Sequence, residues 1–534
     1  MPFYAEVMLC AWKGAYEVYN LVAELNDFLG LGPGGAPTSR IPVLPRFIQS
    51  MADGVPEEDL EYLQSKGVFS LPGLMLCREL LRAFVESVYP FLPVLDLASF
   101  LRAVISQGEV NDDSQPVSLL LFHAVMFSAT AFVDLKHLHN AGYATRKDAR
   151  EQFYLRARAL YDFDVENDRL VLIQALLLMT YWHESPDNPK DSQYWLNVCW
   201  SLGASIGLDH NPSGALISAQ MQKVWKRVWW CLYTRDALLA LNLRRPLSCQ
   251  KESSGLSVVG LEDFDIGRHA QRIVAALGGC TLLEDIRVQK NLAVGFIEKA
   301  KLCVLIYEVL ALRDVQGTTP SSPGMRPPSG CSIEETARRL ERWSNELPVQ
   351  VQYAPLRAED LDLATTRLLH VQRSWIRVLF LATIGTLHRQ GLSSTTIHSH
   401  GRSSPVLNRL HPQYDAVTSQ IASILQELNQ LCLVQHLPTT TVALLVPVLL
   451  RQVLVFGTHT GPAQVEAFEL FYKAMQVLGT LGDVYSFAVV VRRFFEETLR
   501  GGAVAIPTAI QSLLTEDERG ALLSLSLGRL RGNI

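Results

Sequence analysis

The chain has 534 residues, 48% of them hydrophobic and 19% charged, which is too apolar for disorder and long enough to bury a large core. Its 48 Lys and Arg against 53 Asp and Glu leave a net charge of −5 with no basic run of five, so neither a nucleic-acid footprint nor a nuclear localisation signal is visible. Nine cysteines lie between Cys10 and Cys432 without a Cys-x-x-Cys pair, which argues for reduced, mostly core thiols in an intracellular protein.

The first twenty residues contain no basic stretch followed by an apolar run, so no signal peptide or membrane anchor is expected there. Tyr4 to Phe28 has helical spacing (Leu9, Trp12, Tyr16, Tyr19) and ends at GLGPGGAP, a loop; residues 1–61 read as an N-terminal flank. A helix is predicted from about Gly73 to Val88. After it Pro90 and Pro93 reverse the chain, while Phe91, Leu92, Val94, Leu95 and Phe100 plug the core. Ser118 to Asp134 is apolar nearly all round and reads as a buried helix. His123 within it has no second ligand three or four residues away, so it reads as a core histidine. His137 and His139, and His398 and His400 in a polar loop, likewise have no partner set and are not read as ligands.

Arg146 to Trp182 gives two helices, an amphipathic one through Phe153, Leu155 and Leu160, then LVLIQALLLMTYW after a polar break at Glu166 to Asp168. Ser185 to Lys190 is a turn. Tyr194 to Gly207 is helical through Trp195, Val198, Leu202 and Ile206. It contains Gly203-Ala204-Ser205-Ile206-Gly207, which matches the G-x-S-x-G nucleophile elbow. An elbow needs a strand before the serine and a helix after it, and here a helix precedes and a break follows. Ser205 is thus the residue a serine hydrolase would use, in a context that contradicts that chemistry. No P-loop, H-E-x-x-H or dinucleotide fingerprint appears.

Val224 to Pro246, VWKRVWWCLYTRDALLALNLRRP, sets Trp225, Trp229, Leu232, Asp236 and Leu239 on one helical face. A carboxylate in that stripe is costly to desolvate unless a cation reaches it, and Arg244 and Arg245 follow two turns later, before Pro246 stops the helix. Two readings stand. In one, Asp236 forms a buried pair with one of these arginines, and Asp236→Ala costs roughly 3–5 kcal/mol. In the other, Asp236 sits at the stripe's edge in water, in a pair worth about 0–1 kcal/mol.

Val228-Trp229-Trp230-Cys231-Leu232-Tyr233-Thr234-Arg235-Asp236, followed by Leu241-Asn242-Leu243-Arg244-Arg245-Pro246, resembles the signature of the fungal-specific transcription factor domain, in its cutinase transcription factor branch. That pattern is a basic residue or two, a Val/Ile/Leu-Trp-Trp, an aspartate about a turn on, and a Gly-Arg-Pro or Arg-Arg-Pro loop. The aromatic-Pro and Pro-x-Leu-Asp segment at residues 89–96 and the helix ending in Gly207-Leu208 are similar to the family as well. The resemblance implies the regulatory middle region of zinc-cluster transcription factors, with Trp229, Trp230, Asp236, Arg244, Arg245 and Pro246 as structural motif residues.

Beyond the motif, Gly255 to Ile266 is an acidic loop and Leu282 to Leu312 one long helix. TTPSSPGMRPPSG, residues 318–330, is the clearest linker. Ile333 to Leu347 opens on a capping box of Ser332 and Glu335. Leu361 to Leu387, Tyr414 to Leu433, Thr441 to Thr458 and Pro462 to Thr498 are helical by period, with a polar loop at Gly391 to Pro405. The apolar run Val442 to Phe456 is too short to span a membrane and is interrupted by Pro447, Arg451 and Gln452; it reads as a buried helix pair or a kinked helix. In the tail, residues 510–530, paired leucines beside acids suit either a helix docked on the body or a partner-binding helix.

The expectation is an all-α, multi-helix bundle: a flank (1–61), a regulatory core (62–313), a linker (314–331) and a C-terminal helical region (332–534). Its function would be transcription regulation of a metabolic or biosynthetic gene set, without catalysis, in the nucleus as the resemblance implies. Complete factors of this kind carry six paired cysteines binding zinc, a basic linker and a coiled coil. Nothing before Tyr62 supplies these, so no metal-ligating, cofactor-binding or DNA-binding residue is assigned. A truncated reading frame, action through a partner's DNA-binding domain, or recruitment of the fold elsewhere would each account for that. DNA would be reached through a missing segment or a partner, with homo- or heterodimers expected, no membrane, and a scaffold or decoy role as the alternative. Trp225, Trp229, Trp230 and Leu177 either line a groove for a small apolar effector or are plain core.

Overall fold

The computed structural model describes residues 44–50, 55–105, 115–182, 190–211, 217–243, 256–267, 269–316, 332–357, 364–397, 412–458 and 460–500, with Ile510, Leu514 and Arg519. Among the described residues the fold is all-α: the only extended pairing is one parallel bridge between Ile48 and Val117. No described helix is long and apolar enough to cross a membrane. The chain forms two compact units that interleave along the sequence, one made of Met1–Trp182, Val198–Cys231 and Gly260–Lys290, the other of His183–Asn197, Leu232–Val259 and Asn291–Ile534.

The first unit contains α1 (Glu57–Ser65), α2 (Leu74–Ala83, continued by a π turn at Phe84–Val88), α3 (Leu97–Ile105), α4 (Leu119–Thr130), α5 (Leu135–Asn140), α6 (Arg146–Asp162) and α7 (Arg169–Met179). It also takes most of α8 (Ser192–Ile206), the first half of α9 (Ala219–Leu243), α10 (Gln271–Ala276) and α11 (Thr281–Glu284). At its centre is α4, buried at every position as its all-round apolar sequence requires, with α2, α6 and α7 packed against it. The polar groups of α4 bond to backbone: Thr130 Oγ1 donates to Met126 O at 2.7 Å, and His123 Nε2 lies 2.7 Å from Val68 O. Burial lowers the His123 pKa to about 3, helped by the Arg156 charge, so the ring is a neutral core group.

Phe91, Leu92, Val94, Leu95 and Phe100 are all buried around the Pro90–Pro93 reversal, as the sequence led us to expect. Leu155 is not. α6 buries Phe153, Ala157 and Leu160, and Leu155, about 200° round the helix from Phe153, is 48% exposed. The flank contributes Phe47, whose ring meets Phe122 edge-on at 5.7 Å; the helix expected over Tyr4 to Phe28 lies outside the described residues.

The second unit contains α12 (Ile286–Gln316) from Asn291 onward, α13 (Ile333–Asn345), α14 (Ala364–Ile397), α15 (Pro412–Gln430), α16 (Thr440–Thr458), α17 (Pro462–Gly482) and α18 (Ser486–Leu499). α15 packs on α14, α16 and α17, and α17 packs on α16 and α18. The long helix expected over Leu282 to Leu312 is two helices. Asp285 has extended backbone, and its carboxylate accepts the Arg287 amide at 2.8 Å, so it ends α11 and caps α12. α16 is a single helix with Pro447 inside it, and the Pro462 to Thr498 region breaks at Asp483 into α17 and α18. Gly391 does not end α14, which runs on to Ile397. At α13 the Ser332 hydroxyl accepts the Glu335 amide at 3.2 Å, one arm of the expected capping box. Residues 317–331, the core of the linker, lie outside the described residues. So do most of 510–530, where Ile510 and Leu514 are buried, favouring a docked tail.

Candidate functional site

Every residue of α9 from Arg227 to Asn242 is buried, so the one-face stripe read from its spacing understates the helix. Arg227 has no exposed surface. Its Nε donates to Pro93 O at 3.2 Å, Nη2 to Leu95 O at 2.8 Å, and Nη1 to Asp263 O; the Asp265 carboxylate lies 3.4 Å from Nη1. Arginine suits this place because its planar fork presents five donors in fixed directions. One turn of helix thereby fastens two separate segments, the Pro93–Leu95 reversal and the 260–265 loop. Lys226 pairs with Asp263 at 2.7 Å, Asp263 also accepts the Gly260 amide at 2.7 Å, and Gln220 reaches Asp96 at 3.2 Å. The acidic segment read from sequence as plain loop is the other half of this joint. Sequence reasoning passed over Arg227; its signal is the basic pair ahead of Val228-Trp229-Trp230.

Asp236, on the later half of α9, is 1% exposed, which corrects the reading that placed it in water. Its Oδ2 accepts a hydrogen bond from the Tyr307 hydroxyl of α12, and the Tyr307 ring stacks on Tyr233 at 4.3 Å and 21°. The local sequence holds no hint of Tyr307, because the partner is 71 residues away. Arg244, Arg245 and Pro246 lie outside the described residues.

Trp229, Trp230 and Leu177 are 4%, 5% and 0% exposed, Trp225 is half-buried, and Trp229 meets Trp200 edge-on at 5.3 Å. Two cavities are lined wholly by second-unit residues, and none of those four lines either. The smaller, about 30 Å³ beside Asn242, Arg389 and Tyr414, has room for a water and not for an effector. The larger is a groove of about 430 Å³ between α13, α14, α15 and the strap at residues 347–353. Trp343, Ile376, Phe380 and Ile424 give it apolar walls; Arg377, Gln420, Ser419 and Ser423 give it polar ones.

The strap is tied on both sides. Arg373 Nε donates to Gln350 O at 2.7 Å, the Tyr353 hydroxyl donates to Glu427, and the Leu356 amide donates to Glu427 Oε1 at 2.9 Å. His370, 2% exposed, lies 3.0 Å from the same carboxylate oxygen; burial lowers its pKa, and the Glu427 charge opposes that.

Ser205 sits in the last turn of α8, with helix before it and the Gly207 turn after it, and its hydroxyl donates to Leu202 O at 2.6 Å. That is helical back-bonding, not an elbow. Among the described residues no group of three or more His, Cys, Asp or Glu side chains is placed to hold a metal ion. Of the six described cysteines, five are buried and Cys432 is exposed, all as free thiols. His398 and His400 lie outside the described residues.

α9 thus carries a buried arginine ahead of its paired, buried tryptophans and a buried aspartate after them. Residues 81–261 match the fungal specific transcription factor domain. Over 482 residues, 88% of its length, the chain is 36% identical to cutinase transcription factor 1 beta of Fusarium vanettenii, covering 54% of that protein. It is 27% identical over 481 residues to transcription factor cpaR of Aspergillus oryzae, covering 88% of this chain and 79% of that one. It is 26% identical over 438 residues to the acetamidase regulatory protein of Aspergillus fumigatus, covering 81% of this chain and 49% of that one. The chain thus spans about half the length of the first of these relatives.

Proposed function

We propose that this chain is the regulatory region of a fungal transcription regulator, acting in the nucleus through intramolecular control and partner or effector binding, without catalysis. The observation that carries it is the family domain at residues 81–261 inside an alignment with a transcription factor that runs over 88% of the chain. A net charge of −5 gives this sequence no electrostatic hold on DNA. Contact with a promoter is therefore assigned to a segment outside this sequence or to a partner, homo- or heterodimeric, and zinc belongs with that segment. The joint at Arg227 serves the fold, and Trp229, Trp230 and Asp236 are scaffolding.

The test joins the chain to an unrelated DNA-binding domain in a fungal host carrying the matching reporter. Reporter output is expected to change severalfold, up or down, relative to the DNA-binding domain alone, and to stay changed with Ser205→Ala. Unchanged output from a fusion that is expressed and nuclear would refute the regulator reading. Labelling of the purified chain by a fluorophosphonate, lost in Ser205→Ala, would move it to the hydrolases.

A further inference from the structure

The 430 Å³ groove of the second unit is within the size range of small-molecule sites, about 300–1,000 Å³. Its polar side is defined by a cation without an anion. Arg377 is half-buried, its guanidinium lies 5.2 Å over the Phe380 ring, and its Nη2 donates to Gln420 Oε1 at 3.3 Å; it has no ion pair among the described residues. The nearby acid, Glu427, is already engaged by the Tyr353 hydroxyl, the Leu356 amide and His370. Burial lowers the Arg377 pKa, the direction expected of a cation short of compensating charge.

The apolar side has a shape as well. The Trp343 and Phe380 rings stand 5.7 Å apart and tilted by 32°, with Ile376 and Ile424 also lining the groove. A guanidinium stacked on an aromatic face keeps its N–H edge free for a planar acceptor, and carboxylates match that edge with two parallel hydrogen bonds. A more highly charged phosphate would find one guanidinium and a hydrocarbon wall, and would be left partly desolvated without partners.

We propose that this groove binds a small monocarboxylate with a flat apolar body, its acid group on the Arg377 guanidinium and its body against Trp343 and Phe380. The assignment goes beyond the regulator reading, and the binding assay can fail while the reporter fusion succeeds, or the reverse.

The test uses the purified chain, with 3-phenylpropanoate and its neutral analogue 3-phenylpropanol as probes in calorimetry or ligand-observed NMR. The acid is expected to bind at least about tenfold more tightly than the alcohol. Arg377→Gln should abolish that preference while leaving the helical circular dichroism intact. Ser423→Trp, at an exposed lining position, should fill the groove and remove binding of both probes. Equal affinity for acid and alcohol, no binding up to about 10 mM, a preference that survives Arg377→Gln, or binding unaffected by Ser423→Trp would each overturn the proposal.

Discussion

Replacing Arg227 with Ala leaves three backbone carbonyls without their buried donor and takes the guanidinium away from the Asp265 carboxylate, which is 18% exposed and keeps Lys223 at 3.9 Å. Breaking a buried charged network from one side costs about 3–5 kcal/mol, so Arg227→Ala should lower the unfolding free energy read from denaturant titration by that amount. Arg227→Lys keeps the charge but not the fork and should recover only part of the loss. At Asp236 the cleaner probe is its partner. Tyr307→Phe keeps the ring that stacks on Tyr233 and removes only the hydroxyl bond to a carboxylate, a loss of about 1.5–3 kcal/mol by the same measurement. A change below about 0.5 kcal/mol would mean the contact is energetically idle.

His123 ties stability to pH. Folded, its pKa is about 3; unfolded, it returns to the ordinary 6.5, so between those values the unfolded chain binds a proton that the folded chain refuses. Its share of stability is complete above pH 6.5 and falls as the pH drops through that window. At pH 5 the loss from this one group is about 2 kcal/mol. His123→Gln should therefore shrink the difference in unfolding free energy between pH 7 and pH 5 by about that much, whatever it does to stability at pH 7.

At the scale of elements, the ends of helices are decided by single polar side chains. Asp168 caps the apolar helix α7 by accepting the Leu170 amide at 2.8 Å and the Val171 amide at 3.2 Å, while Ser118 caps α4 through one bond of 3.5 Å. Asp168→Ala should cost about 1 kcal/mol and Ser118→Ala less, an order that thermal unfolding of the two variants would establish or reverse. The same chemistry explains why one expected helix became two. Asp285 offered its own carboxylate to the chain beyond it, and a periodicity count over Leu282 to Leu312 gives that local competitor no weight. α9 shows the opposite failure. Its spacing suggested a single apolar face, yet Arg227, Thr234, Arg235, Asp236 and Asn242 are buried as well, because this helix is surrounded and not laid on a surface.

For the whole molecule, the interleaving of the two units means that α9 contributes to both along its length. Substitutions on either side of Cys231 are then expected to report on different parts of the protein. Arg227→Ala should loosen amide-exchange protection in α3 and the 260–265 loop, whereas Tyr307→Phe should loosen α12; mass spectrometry after deuterium labelling distinguishes them. Equal loss of protection everywhere in both variants would show instead that the protein opens as one cooperative body.

Apolar periodicity, proline and glycine punctuation and the absence of alternating strands were enough to establish an all-helical protein, the buried character of α4 and the reversal at Pro90 to Pro93. These properties depend on neighbours a few residues away, which a linear reading can see. The Trp-Trp motif was legible for the same reason. The partners of its charged residues were not: Arg227 is satisfied by carbonyls about 130 positions back and a loop nearly 40 ahead, and Asp236 by a tyrosine 71 away. The groove beside Arg377 is likewise assembled from three helices and a strap, and no segment of it carries a signal alone. Backbone carbonyls have no letter in the sequence, and long-range packing alone determines which of them a buried side chain will meet.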